Sequence, residues 1–210
     1  MIKILIKNIL SFLFYFIFNR ITNKILFIIN LILKILYSFY VASKFNYIKD
    51  GFMFEYPFIV KGGKYISIGN RFSTRSGFRI EAWDSYFGNL FKPTITIGNN
   101  VIINFDCHIG AINKIIIGNN VLIGSRVLII DHNHGQINKD ELTIPPFRRE
   151  LFSKGPVIIE DNVWICEGVC ILPNVTIGCN SIIAANSVVT MNIPDNCVAG
   201  GIPAKVLKYL

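Results

Sequence analysis

The sequence predicts an all-β solenoid: a triangular coil of short parallel strands with an extruded loop, preceded by an α-helical segment. Three observations predict it. From residue 159 an aliphatic residue recurs every six positions, at Ile159, Ile165, Ile171, Ile177, Ile183 and Val189. The same spacing appears earlier at Ile97, Ile103 and Ile109 and at Ile117, Ile123 and Ile129. Between these residues, Gly, Asn and Asp cluster, as in Glu160-Asp161-Asn162 and Gly178-Cys179-Asn180. A period of six fits neither a 3.6-residue helix nor a long alternating strand. It fits a short strand and a turn, repeated, with three such units closing one coil and successive coils about 4.8 Å apart.

The first element is residues 1–50. Of 210 residues, 52% are apolar and 16% charged, so disorder is excluded. The net charge of +8 arises from 21 basic and 13 acidic residues. Residues 1–50 hold seven of the basic residues and one acid, so the basic character belongs to this segment rather than to the body. A nucleic-acid surface needs basic residues clustered on the folded domain and is not expected. The apolar run Ile9 to Phe18 is broken by Ser11 and ended by Asn19 and Arg20, and a second, Ile25 to Tyr40, contains Asn30, Lys34 and Ser38. Neither run reaches the ~18–20 residues of a spanning helix. They read as two amphipathic helices meeting near residues 19–23. Residues 1–45 are expected to contact an anionic membrane surface or to pack within an oligomer; a span and a signal peptide are the weaker alternatives.

Residues 51–210 form the solenoid. The recurrent Ile and Val point inward, and the Gly-Asn steps suit turns with positive φ. Ile68-Gly69-Asn70 is an outlying copy, and residues 72–93 read as an irregular insertion. Ile109 and Ile117 are eight apart rather than six. Residues 131–156 lose the pattern and contain Pro145, Pro146, Gly155 and Pro156, which predicts a loop extruded from one corner. The five cysteines are odd in number and form no C-x-x-C pair, so neither a disulfide framework nor a zinc site is expected.

The segments Ile159 to Ile165, Ile171 to Gly178 and Gly201-Ile202-Pro203-Ala204-Lys205-Val206 resemble the hexapeptide-repeat acetyltransferases. With Asp131-His132-Asn133-His134-Gly135 they are most similar to the sugar O-acetyltransferase branch. The resemblance spans about residues 60–208. It implies a left-handed parallel β-helix, a homotrimer with active sites between subunits, and acetyl-CoA lying along the coils.

Acetyl transfer to a hydroxyl needs a base that titrates near neutrality, which is histidine's range. His132 stands where the repeat ends and the loop begins, the position of the family's catalytic histidine, and is assigned as general base. His134 is the alternative base and otherwise lines the acceptor site. His108, inside a regular repeat, is expected to be structural. Asp131 either orients a histidine, contacts the acceptor or caps a turn. By resemblance Asn104 reaches an acceptor site from a neighbouring subunit; the alternative is a buried ladder asparagine. The resemblance assigns Trp164, Ala184, Ala185, Thr190 and Lys205 to acetyl-CoA. Met191, Cys166 and Glu167 depart from the family pattern there. Arg148, Arg149 and Lys154 form a cationic cluster on the loop. No metal is expected.

The function this implies is acetyl-CoA-dependent O-acetylation of a bacterial surface polysaccharide or its lipid-linked precursor. The expected location is cytoplasmic, peripheral on the inner face of the membrane. The alternatives are a small soluble acceptor or a non-catalytic trimeric scaffold.

Overall fold

The computed structural model describes residues 2–136 and 138–210, with the side chains of residues 2–5 outside the description. One α-helix, Ile2–Ala42, precedes the coil. It is a single helix where two were expected. The correction has a simple cause: residues 1–50 contain neither Gly nor Pro, so the polar residues 19–24 change the character of the helix without breaking it. The stretch Ile6–Ala42 is long and apolar enough to cross a membrane by length and composition.

The body has three faces of parallel strands, visited in rotation. The first face carries Ile66–Ile68, Thr94–Ile97, Lys114–Ile117, Val157–Ile159 and Val175–Ile177. The second carries Ser73–Thr74, Ile102–Ile103, Leu122–Ile123, Trp164–Ile165 and Ile182–Ile183. The third carries Phe78–Ala82, His108–Ala111, Leu128–Ile130, Cys170–Ile171 and Val188–Val189. Like residues stack: Ile103 lies beside Ile123, Ile165 and Ile183 in turn. These inward residues are essentially without solvent contact and form one continuous core. Each contributes roughly 1.5–3 kcal/mol by burial before entropy costs.

The edge between first and second faces is held by a ladder. Asn100, Asn120, Asn162, Asn180 and Asn196 all have φ between 53 and 59°. The amide of each of the first four donates to the side-chain oxygen of the next, at 2.7–3.1 Å. A short polar side chain tolerates this left-handed conformation better than a bulkier one.

The other informative edge lies between third and first faces. The coil there takes extra residues three times. A hairpin pairing Ser85–Tyr86 with Asn89–Leu90 fills the first excursion. Ile112 and Asn113 fill the second, and residues 131–156 the third. The reading of residues 72–93 as one insertion is therefore corrected. Ser73–Thr74 and Phe78–Ala82 are ordinary coil strands paired to the next turn, and only the part after Ala82 leaves the coil. Ile68 is likewise a full member of the first face, opposite Ile97. The expected loop 131–156 is present, and its base closes as an antiparallel pair, Asn133–His134 with Leu151–Phe152.

Both ends of the core are covered. At the start, Phe45, Phe54, Phe58 and Phe78 form a chain of aromatic contacts with centroids 4.9–6.2 Å apart. Val41 and Ala42, at the end of the helix, pack against this cluster. Buried Ser38 accepts a hydrogen bond from the Phe54 N–H at 2.9 Å, and Tyr37 accepts one from the Phe58 N–H. Lys34 pairs with Glu55 at 2.6 Å. At the other end, Ala204–Tyr209 folds back antiparallel on Cys197–Gly201.

Candidate active site

The first excursion and the base of the long loop meet over one cavity of about 410 Å³. Strand Phe78–Ala82 supplies Arg79 and Glu81, and strand His108–Ala111 supplies His108. The first excursion adds Trp83 and Tyr86; the base of the long loop adds His132, His134 and Leu151.

His132 is oriented from below. Asp131 has no solvent contact, and its Oδ1 lies 3.0 Å from His132 Nδ1. The same oxygen accepts the Ile112 N–H at 2.9 Å, and Oδ2 accepts the Asn113 N–H at 2.8 Å. Two backbone donors therefore anchor the carboxylate, and the carboxylate anchors the imidazole. A carboxylate only accepts here, so Nδ1 carries a proton, and in the neutral imidazole the lone pair is on Nε2. The two extra residues between Ile109 and Ile117 thus have a purpose: their N–H groups hold Asp131. Of the three roles open for Asp131, direct contact with an acceptor is corrected, because both oxygens are sealed beneath the histidine.

His108 stands beside His132 rather than inside an inert repeat. Its Nδ1 lies 2.8 Å from an Arg79 guanidinium nitrogen, and its Nε2 lies 3.2 Å from Glu81 Oε2. Arg79 can only donate, so His108 is protonated on Nε2. Burial lowers its pKa from 6.5, helped by the positive Arg79 and by His132, while Glu81 opposes. Gly110 explains how the two imidazoles approach. A Cβ at Gly110 would lie 3.3 Å from His108 Nε2 and 3.5 Å from His132 Cε1.

Tyr86 links the two larger excursions. Its hydroxyl donates to the Phe147 carbonyl at 2.7 Å, and its ring meets His134 edge-on with centroids 5.6 Å apart. Lys61 Nζ covers one face of Trp83, 2.9 Å from the ring centroid.

The remaining expected site residues lie elsewhere. Asn104 is on the edge between second and third faces, where its amide donates to the Ile123 carbonyl at 2.9 Å. Trp164 and Ala184 are on or just beyond second-face strands, and Lys205 is on the C-terminal strand of that sheet. Ala185 and Thr190 are exposed at edges. None of these shares the His132 cavity within one chain. On the loop, Arg149 Nε donates to the Ile144 carbonyl and Arg148 lies over the Phe147 ring; neither lines the cavity. Among the described residues no group of His, Cys, Asp and Glu is arranged to hold a metal.

Sequence reasoning did not place Arg79, Glu81, Trp83 and Tyr86 at this cavity; His108, expected to be structural, lines it as well. The signal that reveals them is register. Once Ile80 is placed opposite Ile109, Arg79 falls beside His108.

A coil of this period, carrying an oriented histidine at the base of a corner loop, defines a hexapeptide-repeat transferase. The family described as bacterial transferase hexapeptide (six repeats) matches residues 156–190. The chain is 37% identical over 158 residues to the putative lipopolysaccharide biosynthesis O-acetyl transferase WbbJ of Escherichia coli K12, covering 73% of this chain and 76% of that one. The chain belongs to the hexapeptide-repeat transferases, and it is an acetyltransferase. It is 40% identical over 125 residues to the galactoside O-acetyltransferase of Escherichia coli K12, covering 57% of this chain and 56% of that one. A galactoside acetyltransferase solved in complex with coenzyme A superimposes with a TM-score of 0.53 at 30% identity, over 80% of this chain and 67% of that one.

Proposed function

We propose that this protein transfers acetyl from acetyl-CoA to a hydroxyl of a bacterial surface polysaccharide or its lipid-linked precursor. The observation that carries the reading is His132, with Nδ1 held by a sealed carboxylate and Nε2 left as the base beside a cavity of aromatic and polar side chains. Nε2 takes the proton of the acceptor hydroxyl as its oxygen attacks the thioester carbonyl carbon. The C–S bond then breaks, and the imidazolium returns its proton to the departing thiolate. No step requires a metal. The names of the relatives, one assigned to lipopolysaccharide biosynthesis and one to galactosides, support a saccharide acceptor.

The coil is left-handed and the protein is a homotrimer in this reading. An outward column of Ile102, Leu122 and Trp164, each 39–47% exposed, runs along the second face and supports self-association. A site between subunits explains why Asn104 and the residues assigned to acetyl-CoA, Trp164, Ala184, Ala185, Thr190 and Lys205, lie away from His132 in a single chain. The protein sits peripherally on the cytoplasmic face of the membrane. Lys34 and Ser38 dock one side of the helix, while Ile25, Ile29, Ile32 and Leu36 on the opposite side are 45–60% exposed. An interfacial helix suits Arg20 and Lys24 better than a span, where each costs about 2.5–3.5 kcal/mol near the bilayer centre.

The test is mass-spectrometric detection of acetylated product from acetyl-CoA with free and lipid-linked saccharides. Wild type should form product, and His132→Ala should be slower by roughly 10²-fold or more. Equal rates in both proteins would remove His132 as base.

A further inference from the structure

We propose that the groove where the helix meets the first coil binds the phosphodiester headgroup of an anionic membrane phospholipid. This names the membrane partner of the helix and rests on the peripheral location proposed above.

Three features carry the inference. The first is an anion site with one positive charge to spare. Asn30, Leu33 and Lys34 of the helix face Glu55, Tyr56 and Ser76 of the coil across a groove of about 550 Å³, the size of a small-ligand site. Lys34 and Arg75 both bond Glu55 Oε1, at 2.6 and 2.8 Å. Burial pushes the Glu55 carboxyl up, but the bonds from Lys34 and Arg75 outweigh it and hold its pKa below the ordinary value. The carboxylate is therefore charged at neutral pH. Two cations on one carboxylate leave a net positive charge, which the single negative charge of a phosphodiester balances.

The second is a set of uncommitted donors. Lys34 gives Glu55 one of its three N–H groups. The Asn30 amide and the Ser76 hydroxyl line the same groove, and among the described residues neither has a protein partner. Phosphate oxygens accept several such bonds at once, and the charge on Lys34 strengthens its own.

The third is what adjoins the groove. Leu26, Ile29 and Leu33 follow one another at three- and four-residue spacing along the helix, each 45–57% exposed, and Leu33 is part of the groove wall. Acyl chains leaving the headgroup have this apolar strip to lie on. Tyr37 and Tyr56 meet edge-on beside it, with centroids 5.6 Å apart, an aromatic pair of the kind that sits at headgroup level. A water-soluble phosphate ester would use the donors and leave the strip uncovered.

The test is native mass spectrometry of the full-length protein in a neutral detergent, with phosphatidylglycerol, phosphatidylcholine and a polyprenyl phosphate supplied in equal amounts. Wild type should retain phosphatidylglycerol about tenfold more than either of the others. Asn30→Leu makes the helix more apolar but removes a donor. It should lower phosphatidylglycerol retention about tenfold while the protein still floats with phosphatidylglycerol vesicles, which a purely apolar contact would not do. Arg75→Gln removes the spare charge and should erase most of the preference over phosphatidylcholine. Equal retention of the two phospholipids by wild type, tighter retention of the polyprenyl phosphate, or unchanged retention in Asn30→Leu would each overturn the proposal. Flotation of wild type without headgroup retention would overturn the groove alone. Headgroup retention by a chain that stays off vesicles would instead overturn the membrane location and leave the groove standing.

Discussion

At the scale of the residue, Asp131 and His108 differ in what they do beside His132. Asp131 uses both oxygens on backbone N–H groups and one of them on His132. Asn at this position has one acceptor oxygen and one donor nitrogen, so one backbone N–H faces another donor. Asp131→Asn should cost about 1–3 kcal/mol of stability, read by chemical denaturation, and lower kcat at least about tenfold without changing acetyl-CoA affinity. Retained kcat would show that His132 needs no anchor. His108 is held neutral, with its pKa below the ordinary 6.5 mainly by burial and then by Arg79. The unfolded chain therefore binds the proton more readily than the fold. The stability contributed by neutral His108 is complete above about pH 6.5 and is lost as pH falls toward the lower folded value. His108→Gln should flatten the dependence of Tm on pH in that window, and an unchanged slope would place the titration elsewhere.

At the scale of the element, each edge of the coil has its own device. The first-to-second edge repeats one left-handed turn, and the asparagine ladder ties it along the axis. Asn162, at φ 59°, bonds to Asn120 on one side and Asn180 on the other. Asn162→Ala should destabilise by about 1–2 kcal/mol and Asn162→Gly by less, because glycine keeps the φ and loses only the bonds. Equal losses in denaturation would assign the effect to the bonds alone. The third-to-first edge does the opposite: it is where the repeat is interrupted, and there the site is built. Extra residues at one edge leave the inward Ile and Val columns in register, so insertions cost the core nothing.

For the whole molecule, the helix and the coil divide the work. Residues 34–42 dock through Lys34, Tyr37, Ser38 and Val41, whereas the large apolar side chains from Ile6 to Leu33 lie exposed. Deleting residues 2–33 keeps the docking contacts and removes most of that surface. The full chain should float with phosphatidylglycerol vesicles in a sucrose gradient, and the shortened chain should stay at the bottom with equal activity on a free saccharide. A full chain that stays in the aqueous fraction would remove the membrane role and leave helix packing between subunits.

The sequence by itself determined the repeat, the inward residues, the extruded loop and the histidine at its base. These are local or periodic properties: a six-residue recurrence states which side chains point inward wherever the coil is placed. It also pointed to the absence of disulfide spacing and to the uneven charge. What it could not state was how polar residues far apart in the chain are stacked. His108 looked inert because its neighbours Arg79 and Glu81 lie 29 and 27 residues earlier and become adjacent only once the first excursion is counted out of the coil. The break near residues 19–23 was likewise a change of side-chain polarity, not of backbone, and only the continuous helix decides that. Asp131 admitted three roles until tertiary structure placed two backbone donors from the preceding coil against it. Register across an insertion is a long-range property, set by which inward columns pack together, and the cavity beside His132 is assembled by that register.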